Sequence, residues 1–132
     1  MVPVMNEQGD KLWHGVGIIT GASSGMGEAI ARKLAPNATG LIIAARRFNR
    51  IESLANELGE HVIPVRCDVR KQEDVQRTVQ RAIDTFGHID VMINNAGIAP
   101  MASMLRCRVE DWDNLIDTNI KGVLYGIASV LP

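Results

Sequence analysis

The sequence has few aromatic residues and no excess of either charge sign. Two tryptophans, two phenylalanines and one tyrosine make up 4% of its 132 residues, and the formal net charge is −1 at pH 7. Nucleic-acid and membrane-surface partners favour a basic excess, and a base-stacking surface also needs aromatic side chains. We therefore expect neither nucleic acid nor a membrane as a partner.

Cysteine and long apolar runs are also scarce. Cys67 and Cys107 have no metal-ligand spacing and are too few for a disulfide framework, so we expect two reduced thiols and no metal site. No apolar run reaches the roughly 18 residues of a membrane span, and residues 1–15 lack the pattern of a signal peptide. These absences predict a cytoplasmic protein, and the length predicts a single domain over 1–132.

The sequence does contain short apolar runs that alternate with amphipathic stretches. The runs predict strands at 15–20, 40–45, 61–67 and 89–97, and the stretches predict helices at 25–35, 50–59 and 71–87. Strands without alternation are buried on both faces, which is typical of a parallel sheet covered by helices. The sequence therefore predicts a doubly wound, Rossmann-like α/β fold of about four strands. Pro64 indicates that the third strand lies at an edge.

The helical spacing also predicts which faces are buried. The apolar positions are Met26, Ile30 and Leu34 in the first helix, and Val75, Val79, Ala82, Ile83 and Phe86 in the third. Residues 109–132 predict a short helix followed by a longer one. In the longer one, Tyr125 is expected in the core or at an interface. The apolar residues around it are expected to pack as well, namely Ile120, Leu124, Ile127, Ala128 and Leu131.

Three glycines lie in the turn between the first strand and the first helix, in the order Gly21-x-x-x-Gly25-x-Gly27. A helix N-terminus offers unpaired N–H groups and the positive end of the helix dipole. Glycines leave room there for a pyrophosphate, so a strand–turn–helix of this kind predicts a dinucleotide site. The alternative is a plain tight turn.

The stretch TGASSGMG at 20–27 resembles the cofactor motif of the short-chain dehydrogenase/reductase family. CDV at 67–69, NNAG at 94–97 and DTNIKG at 117–122 resemble further motifs of that family, in the same order. The resemblance implies the N-terminal, cofactor-binding half of an oxidoreductase that transfers a hydride between a nicotinamide and a carbonyl or alcohol. A half-domain that binds a dinucleotide or a partner without catalysis is the alternative.

The resemblance implies roles for individual residues. The glycine turn would wrap the pyrophosphate and the adjoining ribose through Thr20, Gly21, Ser23, Ser24, Gly25, Met26 and Gly27. Asp68 would accept a hydrogen bond from the adenine amino group, with the Val69 backbone beside it. Asn95, Ala96 and Gly97 would line the cofactor after the fourth strand. Asn119 matches the asparagine of the family's catalytic tetrad, which helps to hold a water in the proton relay.

The end of the second strand indicates which dinucleotide is bound. An acidic residue there selects NAD by binding the ribose 2′-hydroxyl, but the sequence has Ala45 followed by Arg46 and Arg47. A guanidinium pairs with a 2′-phosphate, and no carboxylate at this position would repel it. We therefore predict NADP(H) rather than NAD, with Arg46 as the main contact. The alternative is that both arginines are a solvated helix start.

The family's Tyr-x-x-x-Lys signature does not occur in these 132 residues. The single tyrosine is Tyr125, and Ser129 stands four residues later. Asn119 is therefore the one tetrad residue expected here, and the domain is expected to be an incomplete version of the fold. An apolar fourth strand at the sheet edge and an apolar last helix predict a homo-oligomer or low stability.

Overall fold

A parallel sheet of four strands organises residues 13–132, which are the part of the chain described by the computed structural model. The strands are β1 (Val16–Thr20), β2 (Gly40–Ala45), β3 (Val62–Arg66) and β4 (Val91–Ile93). Their order is β3-β2-β1-β4, and each neighbouring pair is parallel. The predicted α/β fold is confirmed, and Pro64 lies on an edge strand as predicted. Because β2 and β4 flank β1, the order reverses beside β1 and leaves a crevice at the carboxyl ends of the strands.

Helices connect the strands and cover both faces of the sheet. They are α1 (Gly25–Leu34), α2 (Phe48–Leu58), α3 (Gln72–Phe86), α4 (Val109–Ile116) and α5 (Gly122–Val130). A 3-10 turn at Met104–Arg106 precedes α4, and a π-helical segment at Asp117–Lys121 joins α4 to α5. The two helices predicted in 109–132 therefore form one continuous rod. Among the described residues, no helix is both long enough and apolar enough to span a membrane.

The central strands alternate their side chains between two cores. Ile19 and Ile43 lie in the core under α1 and α2, whereas Ile18 and Ile42 lie in the core under α3. All four side chains are fully buried. This burial on both faces explains why β1 and β2 are apolar without alternation.

Two helices turn a slightly different face to the sheet from the one predicted. Met26 is 75% exposed, because α1 approaches the sheet through the small residues Gly27 and Ala31. Ile83 is 43% exposed, and Thr78 is buried in its place on α3. The Thr78 hydroxyl donates to the carbonyl of Asp74 at 2.8 Å, which satisfies this buried polar group.

The α4–α5 rod carries an apolar surface that the described chain leaves exposed. We call it the outer stripe; its members are Trp112, Ile116, Ile120, Leu124, Ile127 and Leu131. The apolar residues predicted to pack around Tyr125 are exposed in the described chain, so their packing at an interface stays a prediction; they are Ile120, Leu124, Ile127, Ala128 and Leu131. Tyr125 itself is half-buried and packs as predicted, against the cluster that contains Ala44, Cys67, Val69 and Val75. The sheet side of the rod is covered and its opposite side is not.

Candidate functional site

A cleft of about 530 Å³ lies at the carboxyl ends of the four strands. It brings together the glycine turn, the end of β2, residues 67–69 and residues 95–98. Every residue predicted to bind the cofactor lines this cleft except Thr20, Gly25 and Gly27. Four further lining residues had no assigned role in the sequence analysis; they are Ala45, Cys67, Ile98 and Thr118.

Glycine is needed at the three positions of the turn for different physical reasons. Gly21 and Gly25 have φ of +65° and +57°, which is the left-handed region that favours glycine. A Cβ on Gly21 would lie 2.7 Å from the Cα of Ala96, and one on Gly27 would meet the carbonyl of Gly21. A Cβ on Gly25 would meet no atom within 4 Å. Gly21 and Gly27 thus allow close packing, whereas Gly25 leaves open space at the N-terminus of α1.

Thr20 and Asn95 fasten the glycine turn to the segment that follows β4. The Thr20 hydroxyl accepts hydrogen bonds from the backbone N–H groups of Asn95 and Ala96, both at 3.1 Å. The Asn95 side chain donates to the carbonyl of Gly21 at 3.2 Å. Thr20 is 2% exposed, and its hydroxyl serves these contacts rather than the cleft. These links join residues that are about 75 positions apart, so sequence spacing gives no signal for them.

Two arginines follow β2 at the mouth of the cleft. Arg46 is exposed and lines the cleft. Arg47 reaches across to the glycine turn, where its Nη2 donates to the hydroxyls of Ser23 at 3.0 Å and Ser24 at 3.2 Å. Both arginines are predicted from the sequence, but this bridge is not. The cleft therefore has positive charge at this end, next to the N-terminus of α1.

Asp68 supplies the one carboxylate among the described residues that line the cleft. Hydrogen bonds from the Arg70 side chain hold the pKa of Asp68 below its usual range, so the group is ionised at neutral pH. The neighbouring Cys67 is buried, and burial raises the pKa of its thiol. Across residues 13–132, no group of three or more His, Cys, Asp or Glu side chains is placed to hold a metal ion.

Asn119 lies in the π-helical segment and anchors the chain beyond β4. Its Oδ1 accepts from the N–H of Ile98 at 2.8 Å, and its Nδ2 donates to the carbonyl of the same residue at 2.7 Å. Its neighbour Thr118 lines the cleft, but Asn119 does not. The asparagine side chain therefore pairs with a backbone segment beside the cleft, as a neighbouring strand would.

Comparison with known proteins agrees with this geometry. Residues 16–132 match the profile of the short chain dehydrogenase family. An uncharacterised oxidoreductase of Staphylococcus saprophyticus is 42% identical over 129 residues, which are 97% of this chain and 51% of that protein. The NADP-dependent 3-hydroxy acid dehydrogenase of Salmonella typhi is 39% identical over 116 residues, covering 87% of this chain and 47% of that protein.

A solved structure shows the same fold. The 3-ketoacyl-(acyl-carrier-protein) reductase of Brucella melitensis, complexed with NADH, matches with a TM-score of 0.83 and 33% identity. The match covers 89% of this chain and 49% of that one. This chain thus spans about half the length of the relatives that it matches. With its Rossmann-like sheet and its glycine turn, the chain belongs to the short chain dehydrogenase family.

Proposed function

We propose that this chain binds NADP(H) in the cleft, as the cofactor-binding part of an oxidoreductase. The observation that carries the proposal is the open space at Gly25, at the N-terminus of α1, combined with two arginines at the end of β2. A helix N-terminus binds phosphate through its unpaired N–H groups, and guanidinium groups bind a second phosphate. Family membership favours this function over a half-domain without any link to catalysis.

The residues of the cleft fit the parts of a dinucleotide. The glycine turn would hold the pyrophosphate through backbone N–H groups, since Gly25 has no side chain to block them. Asp68 and Val69 would hold the adenine, and Asn95, Ala96 and Gly97 would line the far side. Apart from Gly25, each residue named here lines the cleft, so the assignment requires no rearrangement of the chain.

The choice of NADP(H) over NAD(H) rests on the mouth of the cleft. Ala45 ends β2, so no carboxylate there accepts a hydrogen bond from a ribose 2′-hydroxyl. Arg46 is exposed beside it and would pair with a 2′-phosphate. Arg47 is held by Ser23 and Ser24, and adds a second positive charge.

In the whole protein the bound nicotinamide would exchange a hydride with a carbonyl or alcohol carbon. Within this chain, Asn119 would support the proton relay by holding the segment beside the cleft at Ile98. Tyr125 packs against the core. The hydroxyl of Ser129, four positions later, donates a hydrogen bond to the backbone carbonyl of Tyr125 at 2.7 Å. We expect the purified 132-residue chain to bind the cofactor but not to reduce a carbonyl.

A fluorescence titration with NADPH, and a parallel one with NADH, tests the cofactor assignment. The variant Arg46→Asp reverses the charge beside the proposed 2′-phosphate, and should lower the NADPH-over-NADH preference by at least about tenfold. Arg81→Asp makes the same charge change on an exposed position of α3, on the other side of the sheet, and should leave the preference unchanged. An unchanged preference in Arg46→Asp would exclude Arg46 as the NADP contact.

We also propose that a second copy of the chain covers the outer stripe. Its six apolar side chains are 40–77% exposed and lie along one rod, and such continuous apolar patches are typical of interaction sites. A two-fold axis would place one stripe against another. Sedimentation equilibrium should show a dimer that Leu124→Glu dissociates, while Leu105→Glu outside the stripe has no effect. A monomeric wild-type chain would contradict the proposal.

The cytoplasmic location stays a prediction from sequence.

A further inference from the structure

Arg70 makes four hydrogen-bond contacts with the Asp68 carboxylate. Its backbone N–H and its Nε both donate to Asp68 Oδ1 at 3.0 Å. Its Nη2 donates to Oδ2 at 2.8 Å, and its Nε also lies 3.2 Å from that oxygen. Both carboxylate oxygens are therefore held by one residue, two positions along the chain.

This arrangement leaves Asp68 a restricted capacity to accept further hydrogen bonds. Each carboxylate oxygen has two lone pairs. Arg70 uses both on Oδ1 and one on Oδ2 through Nη2, and its Nε hydrogen is shared between the two oxygens, so at most one acceptor direction remains, on Oδ2. Asp68 lines the cleft, and its side chain is only 15% exposed. The remaining direction is thus available to a donor in the cleft and is fixed by the fork of the guanidinium.

Arg70 is itself held from a second element. Its Nη1 donates to the Oδ1 of Asn114 on α4 at 3.0 Å. The guanidinium therefore connects the loop after β3 to the α4–α5 rod. A side chain held at both ends has few rotamers left, and so it presents the carboxylate in one orientation.

We propose that Arg70 is a positioning residue, which orients Asp68 so that the carboxylate accepts a hydrogen bond from the adenine amino group. This inference rests on the proposed function. Arg70 also neutralises the one carboxylate among the described lining residues, which would otherwise repel the phosphates of the dinucleotide. The low pKa of Asp68 is consistent with this, because an ionised carboxylate is purely an acceptor.

The test compares two cofactors that differ at one group. NADPH carries the adenine 6-amino donor, and nicotinamide hypoxanthine dinucleotide phosphate, in its reduced form, carries a 6-oxo acceptor instead. The wild-type chain should prefer NADPH by about tenfold, the scale of one hydrogen bond to a charged group. Arg70→Met should reduce this preference to about twofold, because the carboxylate loses its fixed orientation. Arg70→Lys retains the charge without the fork and should give an intermediate preference.

Two further variants separate positioning from general destabilisation. Arg108→Met removes an arginine that pairs with Asp111 at 3.0 Å outside the cleft, and should retain the preference. Asp68→Asn should lose the preference by itself, and adding Arg70→Met to it should lower the preference no further. Circular dichroism melts show which variants fold. If Arg70→Met does not fold, Arg70→Lys provides the test.

The outcomes distinguish the inference from the function on which it rests. Loss of the preference in Arg70→Met but not in Arg108→Met supports the positioning role. If the Arg70 variants weaken both cofactors equally and retain the preference, Arg70 is merely structural and the inference is overturned alone. If the wild-type chain binds neither cofactor, the proposed function and this inference are both overturned.

Discussion

Helices α2 and α5 have apolar residues at the same helical spacing, but they differ in what covers those residues. On α2, Ile51 is fully buried and Leu54 is 3% exposed, because β2 and β3 lie beneath the helix. On α5, Leu124 is 55% and Ile127 is 41% exposed, because no described element lies over that side. Periodicity therefore predicts a helix and its apolar face, whereas burial depends on the presence of a neighbouring surface.

Truncating one apolar side chain in each region is the most direct test of this difference in burial. Ile43→Ala leaves a cavity in the closed core and should lower the free energy of unfolding by about 3 kcal/mol. In the monomer, Leu124→Ala should lower it by less than about 1 kcal/mol, since the side chain is already in water. Urea denaturation measures both.

Protein concentration sharpens the same test. The loss in Ile43→Ala should not depend on concentration. The loss in Leu124→Ala should grow as the concentration rises, if a second copy covers the outer stripe. A loss of about 3 kcal/mol from Leu124→Ala in dilute monomer would show that the stripe is buried within the chain.

The glycine turn has two left-handed glycines, Gly21 and Gly25, which allow a second comparison. Gly21→Ala combines an unfavourable φ with a contact of 2.7 Å to Ala96, and should cost about 2 kcal/mol or more of stability. Gly25→Ala has a similar φ but open space, and should cost about 1 kcal/mol. Gly25→Ala should nevertheless weaken NADPH binding by at least about tenfold, because its methyl group occupies the space proposed for phosphate.

Denaturation and NADPH titration on the same two variants separate these effects. Equal losses of stability would mean that the contact with Ala96 relaxes. Unchanged NADPH binding in Gly25→Ala would mean that the pyrophosphate lies elsewhere than on the N-terminus of α1.

The smallest expected effect concerns pH and the pair between Asp68 and Arg70. Arg70 lowers the pKa of Asp68 in the folded chain, so the pair stabilises the fold above the ordinary aspartate pKa of about 3.9. This contribution is lost as the pH falls through the lowered, folded value. Arg70→Met should therefore be about 1 kcal/mol less stable than the wild type at pH 7.

Urea midpoints at several pH values measure this difference. This difference in stability should narrow as the pH falls below about 4, because Asp68 is protonated first in the unfolded chain and, at lower pH, in the folded chain. Arg108→Met removes a more exposed pair than that between Arg70 and Asp68, and should show a smaller difference at pH 7. A pH-independent difference for Arg70→Met would mean that the arginine stabilises the fold by packing alone.

Much of the fold and of the cleft could be predicted from the sequence. Unalternating apolar runs gave the parallel strands, and β2 begins and ends at the predicted residues 40 and 45. Pro64 placed β3 at an edge, because proline removes a ladder donor. The glycine turn and the motifs at 67–69 and 94–97 identified most of the cleft lining.

Other features depend on contacts that sequence spacing does not contain. The burial of Thr78 rather than Ile83 follows from how α3 lies on the sheet. The bridge from Arg47 to Ser23 and Ser24 joins residues 24 and 23 positions apart, on two different loops. The hydrogen bond from Arg70 to Asn114 joins residues 44 positions apart.

The sequence by itself determined the order of strands and helices along the chain, the glycine at position 25 and the arginines after β2, since these depend on local residue types. The tertiary structure decided which apolar faces are covered and which polar side chains hold one another. The physical reason is that a helix or a turn forms from interactions over a few positions, whereas burial and long-range hydrogen bonds need a partner brought close by the whole fold.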